Sequence, residues 1–133
     1  SHTSYEIINE KGSILSKRKA KDLNYENLIK SCDIGLSSVV IKKDILDKKN
    51  IFPNLITKED YVLWLNLAKS GVIFYGIDTS LMYWRRVNNS LSSSSIRKLM
   101  DGFVVYNRFM KFSFLKSIFC LIRLSLNYLK KYE

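Results

Sequence analysis

The chain has 133 residues, 47% of them apolar, 13% aromatic and 26% charged; this is one domain's worth of chain, too rich in large apolar side chains to be disordered. A formal net charge of +10 predicts attraction to polyanions and does not choose among nucleic acid, an anionic membrane surface and nucleotide phosphates. Cys32 and Cys120 are too few and too far apart for a disulfide framework or a zinc site, which points to reduced thiols, and a lone His2 in a terminal Ser-His, read as a cloning remnant, argues against histidine chemistry.

In chain order, Tyr5–Asn9 and Ser13–Leu15 read as two short strands about an Asn-Glu-Lys-Gly turn. The basic stretch Lys17–Lys21 reads as a solvated connector. Asn24 or Asp22 is placed to cap a short helix carrying Tyr25, Leu28 and Ile29 and ending near Cys32. Leu36–Ile41 is short and β-branched and reads as a buried strand. The clearest helix opens at Thr57, with Glu59 and Asp60 in its first turn, Tyr61, Trp64, Leu65 and Ala68 on one face, and Gly71 where a left-handed cap belongs. Val72–Tyr75 and Ser80–Arg85 read as two strands joined through Gly76–Thr79, and Asn88–Ser95 as a polar loop whose last serine caps the next helix.

From Ile96 the pattern is helical, with a break near Lys111-Phe112-Ser113. The final stretch, 112–133, is set apart from 1–111 as a basic amphipathic helix: Lys116, Arg123 and Lys130 recur every seven residues, and apolar residues cover most of the remaining circumference. Such a helix fits an anionic membrane surface, and equally burial against the domain or a second copy. There is no N-terminal signal pattern and no uncharged apolar run of about 18 residues, so the expected location is cytoplasmic, with the inner face of the cell membrane as a peripheral surface.

Few constellations carry chemistry. Glu59-Asp60 at a helix start is the most informative carboxylate pair, because a helix N-terminus fixes such side chains and can face them into a cleft. A carboxylate so held can accept the proton of an attacking hydroxyl. From spacing alone a capping box, with Asp60 reaching back to the Thr57 amide, is the stronger reading. Tyr83-Trp84-Arg85-Arg86 offers cations for phosphate and aromatics for stacking, against an ordinary strand end. Asp44 and Asp47 read as solvated, and no glycine-rich phosphate loop or metal-binding set is present.

Taken in order, Ser37–Ile41, Phe52, Glu59–Leu65, Leu81–Arg85 and Asn89–Ser92, with Tyr5 and Asn9–Gly12 ahead of them, resemble the second half of family 2 glycosyltransferases of GT-A fold. The resemblance covers nearly the whole chain. It implies an α+β fold: a small, mostly antiparallel sheet packed by helices, forming part of an α/β/α domain. It implies inverting transfer of a sugar from a nucleotide-sugar donor to a hydroxyl acceptor, most often in bacterial cell-surface polysaccharide or glycolipid synthesis. Asp60 would stand as general base with Glu59 beside it, Arg85 near the donor phosphates, and Ser90 and Ser92 in a loop over substrate; Trp84 between Tyr83 and Arg85 departs from the family pattern and leaves open whether Arg85 or Arg86 faces the site. The family's metal-binding Asp-x-Asp motif, for Mg2+ or Mn2+, has no counterpart here, so these residues alone are expected to be inactive. An exposed sheet edge or apolar face is expected to favour a homodimer. The rival reading is a non-catalytic basic domain that binds membrane or nucleic acid; dispersed cations and the lack of a known module make nucleic acid the weaker half of it.

Overall fold

A computed structural model describes residues 1–46, 52–87 and 94–130. Its class is α+β: a three-stranded sheet together with α-helices. β1 (His2–Ile8) is the central strand, β2 (Ile14–Arg18) runs antiparallel to it, and β3 (Gly76–Arg85) runs parallel on its other side. The sheet is thus mixed, with one pairing of each kind, where mostly antiparallel pairing was expected.

The β1–β2 turn forms as its residues dictate. The Asn9 side chain accepts from the amides of Lys11 and Ser13 at 3.0 and 2.9 Å, supplying the acceptor that a tight reversal otherwise lacks. Lys17 and Arg18, expected in a connector, extend β2. His2 belongs to β1 and is buried; its Nε2–H donates to the Lys21 carbonyl at 3.0 Å.

Two expected strands are absent as such. Leu36–Ser38 is a single 3-10 turn in which the Ser38 hydroxyl donates to the Gly35 carbonyl at 2.7 Å, and only Val39 bridges to His2. Serine hydroxyls that satisfy nearby carbonyls compete with a ladder, and Val40 points to solvent, so a buried strand has no payload here. Val72–Tyr75 contributes one bridge, Phe74 to Leu23, with both backbone bonds at 2.9 Å. β3 opens at Gly76, where the chain passes against Lys21: a Cβ there would sit 2.4 Å from the Lys21 nitrogen, and its pairing with β1 is irregular between Thr3 and Tyr5.

The core is built on α2 (Glu59–Lys69), whose Tyr61, Trp64, Leu65 and Ala68 are buried as its periodicity predicts, together with Val62, Leu63 and Leu67. Gly71 takes the left-handed conformation (φ 94°) that ends the helix. Trp64 meets Phe74 edge to face, 5.7 Å between centroids, a geometry worth about 1 kcal/mol beyond the area buried. α1 (Tyr25–Leu28) is capped by Asn24, with Asn27 returning the bond. α3 (Ser95–Val104) is capped by Ser94 where Ser95 was expected, and widens into a π-helical turn, Val105–Phe109, that buries Val105 and Tyr106.

The chain breaks at Lys111 (φ 58°), near the expected position, and α4 (Phe114–Leu129) starts on the Ser113 cap. α4 is rooted through Ser117 and Leu124, both buried, and through Asn127, whose side chain donates to the Lys30 carbonyl at 2.8 Å. Among the described residues no helix is long and apolar enough to cross a membrane.

Candidate functional site

The start of α2 is held by residues distant in sequence. Thr57 does not cap the helix: its amide and its hydroxyl both donate to Oδ2 of Asp101, at 3.0 and 2.8 Å. The residue at the cap position is Lys58, in the left-handed region (φ 66°) with no side-chain cap. That conformation costs a non-glycine residue about 1–2 kcal/mol and persists only where the surroundings impose it. Here the buried Thr57–Asp101 bonds on one side and the packed helix on the other do so.

The capping box expected for Asp60 is therefore absent. The Thr57 amide that such a box would use is already taken by Asp101, and Asp60 instead accepts from the amide of its neighbour Tyr61 at 2.7 Å. Asp60 stays half-buried beside Glu59, also half-buried. Burial, and next the Glu59 charge, push its carboxyl above the usual carboxylate range, against the opposing pull of the Tyr61 amide and Lys58. A carboxylate with raised proton affinity, fixed in the first turn of a core helix, has the properties of a general base.

Behind it, α2 is anchored by hydroxyls. The Tyr61 hydroxyl lies 2.6 Å from the Leu28 carbonyl and 2.9 Å from the Tyr106 hydroxyl, which lies 2.9 Å from the Ile29 carbonyl. Two protons serve three contacts, so the pair is a coupled unit. Desolvation pushes both phenols well above their ordinary value.

The second group of expected residues lies on the C-terminal end of β3. Arg85 Nη1 donates to the Asn9 and Glu10 carbonyls at 3.1 and 2.9 Å, so this guanidinium ties β3 to the β1–β2 turn. The Arg86 amide donates to the Ile8 carbonyl at 2.8 Å. Tyr83 and Trp84 are exposed and, as successive strand residues, point to opposite faces. Glu59 and Asp60 are thus brought together at one helix start, while Arg85 takes its partners from the β1–β2 turn. Asp44 lies in a short 3-10 turn; Ser90, Ser92 and Asp47 lie outside the described residues.

Asp101 is the residue that sequence reasoning missed. An aspartate within the Leu99-Met100-Asp101-Gly102-Phe103 run was its one signal, since an acid inside an apolar helical pattern asks for a buried partner. Gly102 beside it lets α4 approach closely, since a Cβ there would fall 2.9 Å from a Leu121 methyl. A cleft of about 290 Å3 lined by Lys21, Asn27, Lys30, Ser31, Asp33 and Asn127 contains none of the candidate residues. Among the described residues no group of three His, Cys, Asp or Glu side chains is placed to hold a metal ion. Cys32 and Cys120 are not joined in a disulfide, and burial pushes the Cys120 thiol up.

The chain is 30% identical over 133 residues to the putative teichuronic acid biosynthesis glycosyltransferase TuaG of Bacillus subtilis (strain 168), covering 98% of this chain and 52% of that protein. It is 34% identical over 110 residues to the Escherichia coli UDP-Glc:alpha-D-GlcNAc-diphosphoundecaprenol beta-1,3-glucosyltransferase WfgD, covering 80% and 42%. To WfaP, a protein of the same description and organism, it is 33% identical over 79 residues, covering 59% and 31%. The chain spans about half, or less, of the length of these relatives. No family model matches, and no solved structure matches.

Proposed function

This chain belongs with the glycosyltransferases, as a stretch about half the length of its relatives, and from that premise we propose that it is the acceptor-side half of an inverting family 2 enzyme with Asp60 as general base. Asp60 takes the proton of an acceptor hydroxyl as that oxygen attacks the anomeric carbon of a nucleotide sugar. A new C–O bond forms on one face of the sugar, the bond to the departing diphosphate breaks on the other, and the proton ends on the Asp60 carboxylate. Glu59, beside it, keeps the carboxyl's proton affinity up. The acceptor is the hydroxyl of a glycolipid or growing polysaccharide, the class in which the relatives' names fall.

The observation that carries this reading is the raised, half-buried Asp60 carboxyl at a helix start whose cap position it does not serve. Enzymes of this resemblance use a divalent metal at an Asp-x-Asp motif, and among the described residues no group of three His, Cys, Asp or Glu side chains is placed to hold one. Arg85, Arg86, Tyr83 and Trp84 remain candidates for the donor side. By itself the 133-residue chain is expected to bind a sugar nucleotide weakly, and micromolar binding by calorimetry would contradict the division of labour.

The deciding experiment is Asp60→Asn in the enzyme that carries this chain, assayed for transfer of radiolabelled sugar. Loss of a general base lowers kcat by about 10²–10⁴-fold with the fold retained by circular dichroism. Transfer at the parent rate would end the assignment.

A further inference from the structure

α4 presents to solvent the residues a soluble helix hides. Ser117 and Leu124, one stripe of the helix at about 3.6 residues per turn, face the core. The opposite side carries Leu115 (78% exposed), Phe119 (63%), Ile122 (54%), Leu126 (53%) and Leu129 (60%). Along one border of this apolar strip run Lys116, Arg123 and Lys130, all exposed, and no acidic residue occurs between Phe114 and Leu129.

We infer that this face of α4 is an interfacial anchor that lies flat on a bilayer rich in anionic lipid, the apolar strip entering the acyl boundary and the cationic border meeting the headgroups. An apolar strip of this length is costly in water, and cations flanking such a strip are the pattern of helices that lie in the membrane plane. The helix is tied down on its inner side by Leu124, Ser117 and Asn127, so the outer side is presented ready-made and needs no refolding. Charge favours lipid over a second copy: an antiparallel two-fold pairing of α4 faces would set two like cationic rows together, and any pairing joins chains of net charge +10, whereas anionic headgroups neutralise the cations. The inference stands apart from the sugar-transfer reading, since it uses none of that site's residues.

The test is flotation of the intact chain with vesicles of phosphatidylcholine alone and of phosphatidylcholine mixed with phosphatidylglycerol. The parent floats with the mixed vesicles. Lys116→Gln/Arg123→Gln/Lys130→Gln weakens that partition about a hundredfold, at roughly a factor of five per cation near a charged surface. Leu115→Ser/Ile122→Ser/Leu126→Ser abolishes it with near-ultraviolet dichroism unchanged. A second variant guards against misfolding: Phe119→Trp keeps the apolar strip, and its emission shifts to the blue with the mixed vesicles. Flotation undiminished by the serine variant, no blue shift, or a parent dimer that the serine variant converts to monomer while neither binds vesicles would each overturn the inference.

Discussion

One oxygen of Asp101, Oδ2, receives both the amide and the hydroxyl proton of Thr57, at 3.0 and 2.8 Å, across 44 residues of sequence. The bond pair joins α3 to the start of α2 and stands where a local cap would otherwise be.

Asp101→Ala should therefore destabilise the chain by about 3 kcal/mol, because two buried donors are left without an acceptor, while Asp101→Asn, which keeps one, should cost about 1–2 kcal/mol. Urea denaturation followed by tryptophan fluorescence measures both. Equal midpoints for parent and Ala variant would show that the contact holds nothing.

The raised proton affinity of Asp60 gives stability a pH dependence of definite sign. Its folded carboxyl holds the proton more tightly than the unfolded one, through burial first and Glu59 second. The stability it contributes is complete below the usual carboxylate range and is lost as pH rises through the raised folded value. Asp60→Asn, which cannot ionise and keeps an acceptor for the Tyr61 amide, should lack this slope and be more stable than the parent at neutral pH. Denaturation midpoints across the acid range test it, and a variant less stable than the parent at neutrality would refute it.

Tyr61 and Tyr106 share two protons among three contacts, so their removal should not be additive. Tyr61→Phe and Tyr106→Phe should each cost about 1–2 kcal/mol, and the double variant should depart from the sum by about 0.5–1 kcal/mol. Neither phenol should ionise in alkaline titration before the chain unfolds, since burial holds both above the ordinary range.

Gly76→Ala should disturb the sheet rather than the helices. Its methyl would meet the Lys21 backbone at 2.4 Å, and overpacking of this sort costs about 1–3 kcal/mol. Hydrogen exchange should show amides of β1 and β3 losing protection first; uniform loss across α2 would contradict the assignment.

What the residues announce locally is what they form. α2 carries its acids, its apolar period and Gly71 within fifteen positions, and the Asn9 turn and Asn24 cap are equally self-contained. What fails is what depends on distant partners. Thr57 looks like a cap until Asp101 arrives from α3, and Ser94 outcompetes Ser95 by a single position. Leu36–Ile41 has strand composition but its serines close it into a 3-10 turn, and parallel pairing of β1 with β3 leaves no signal in either strand. At the candidate site the acidic pair was legible as a motif; that Asp60 would be released from capping duty was not.

The placement of β1 at the centre of the sheet also constrains the order of assembly. Its parallel neighbour lies far along the chain, as the 2.7 Å bond from the Ser4 hydroxyl to Asp78 illustrates with a separation of 74 residues. During synthesis the hairpin with β2 has its partner at once, but one flank of β1 waits unpaired until all of α2 and β3 has left the ribosome. Contacts of such long sequence range slow the search for the native topology, and the open flank of β1 is where a nascent chain is most vulnerable to pairing with the wrong strand.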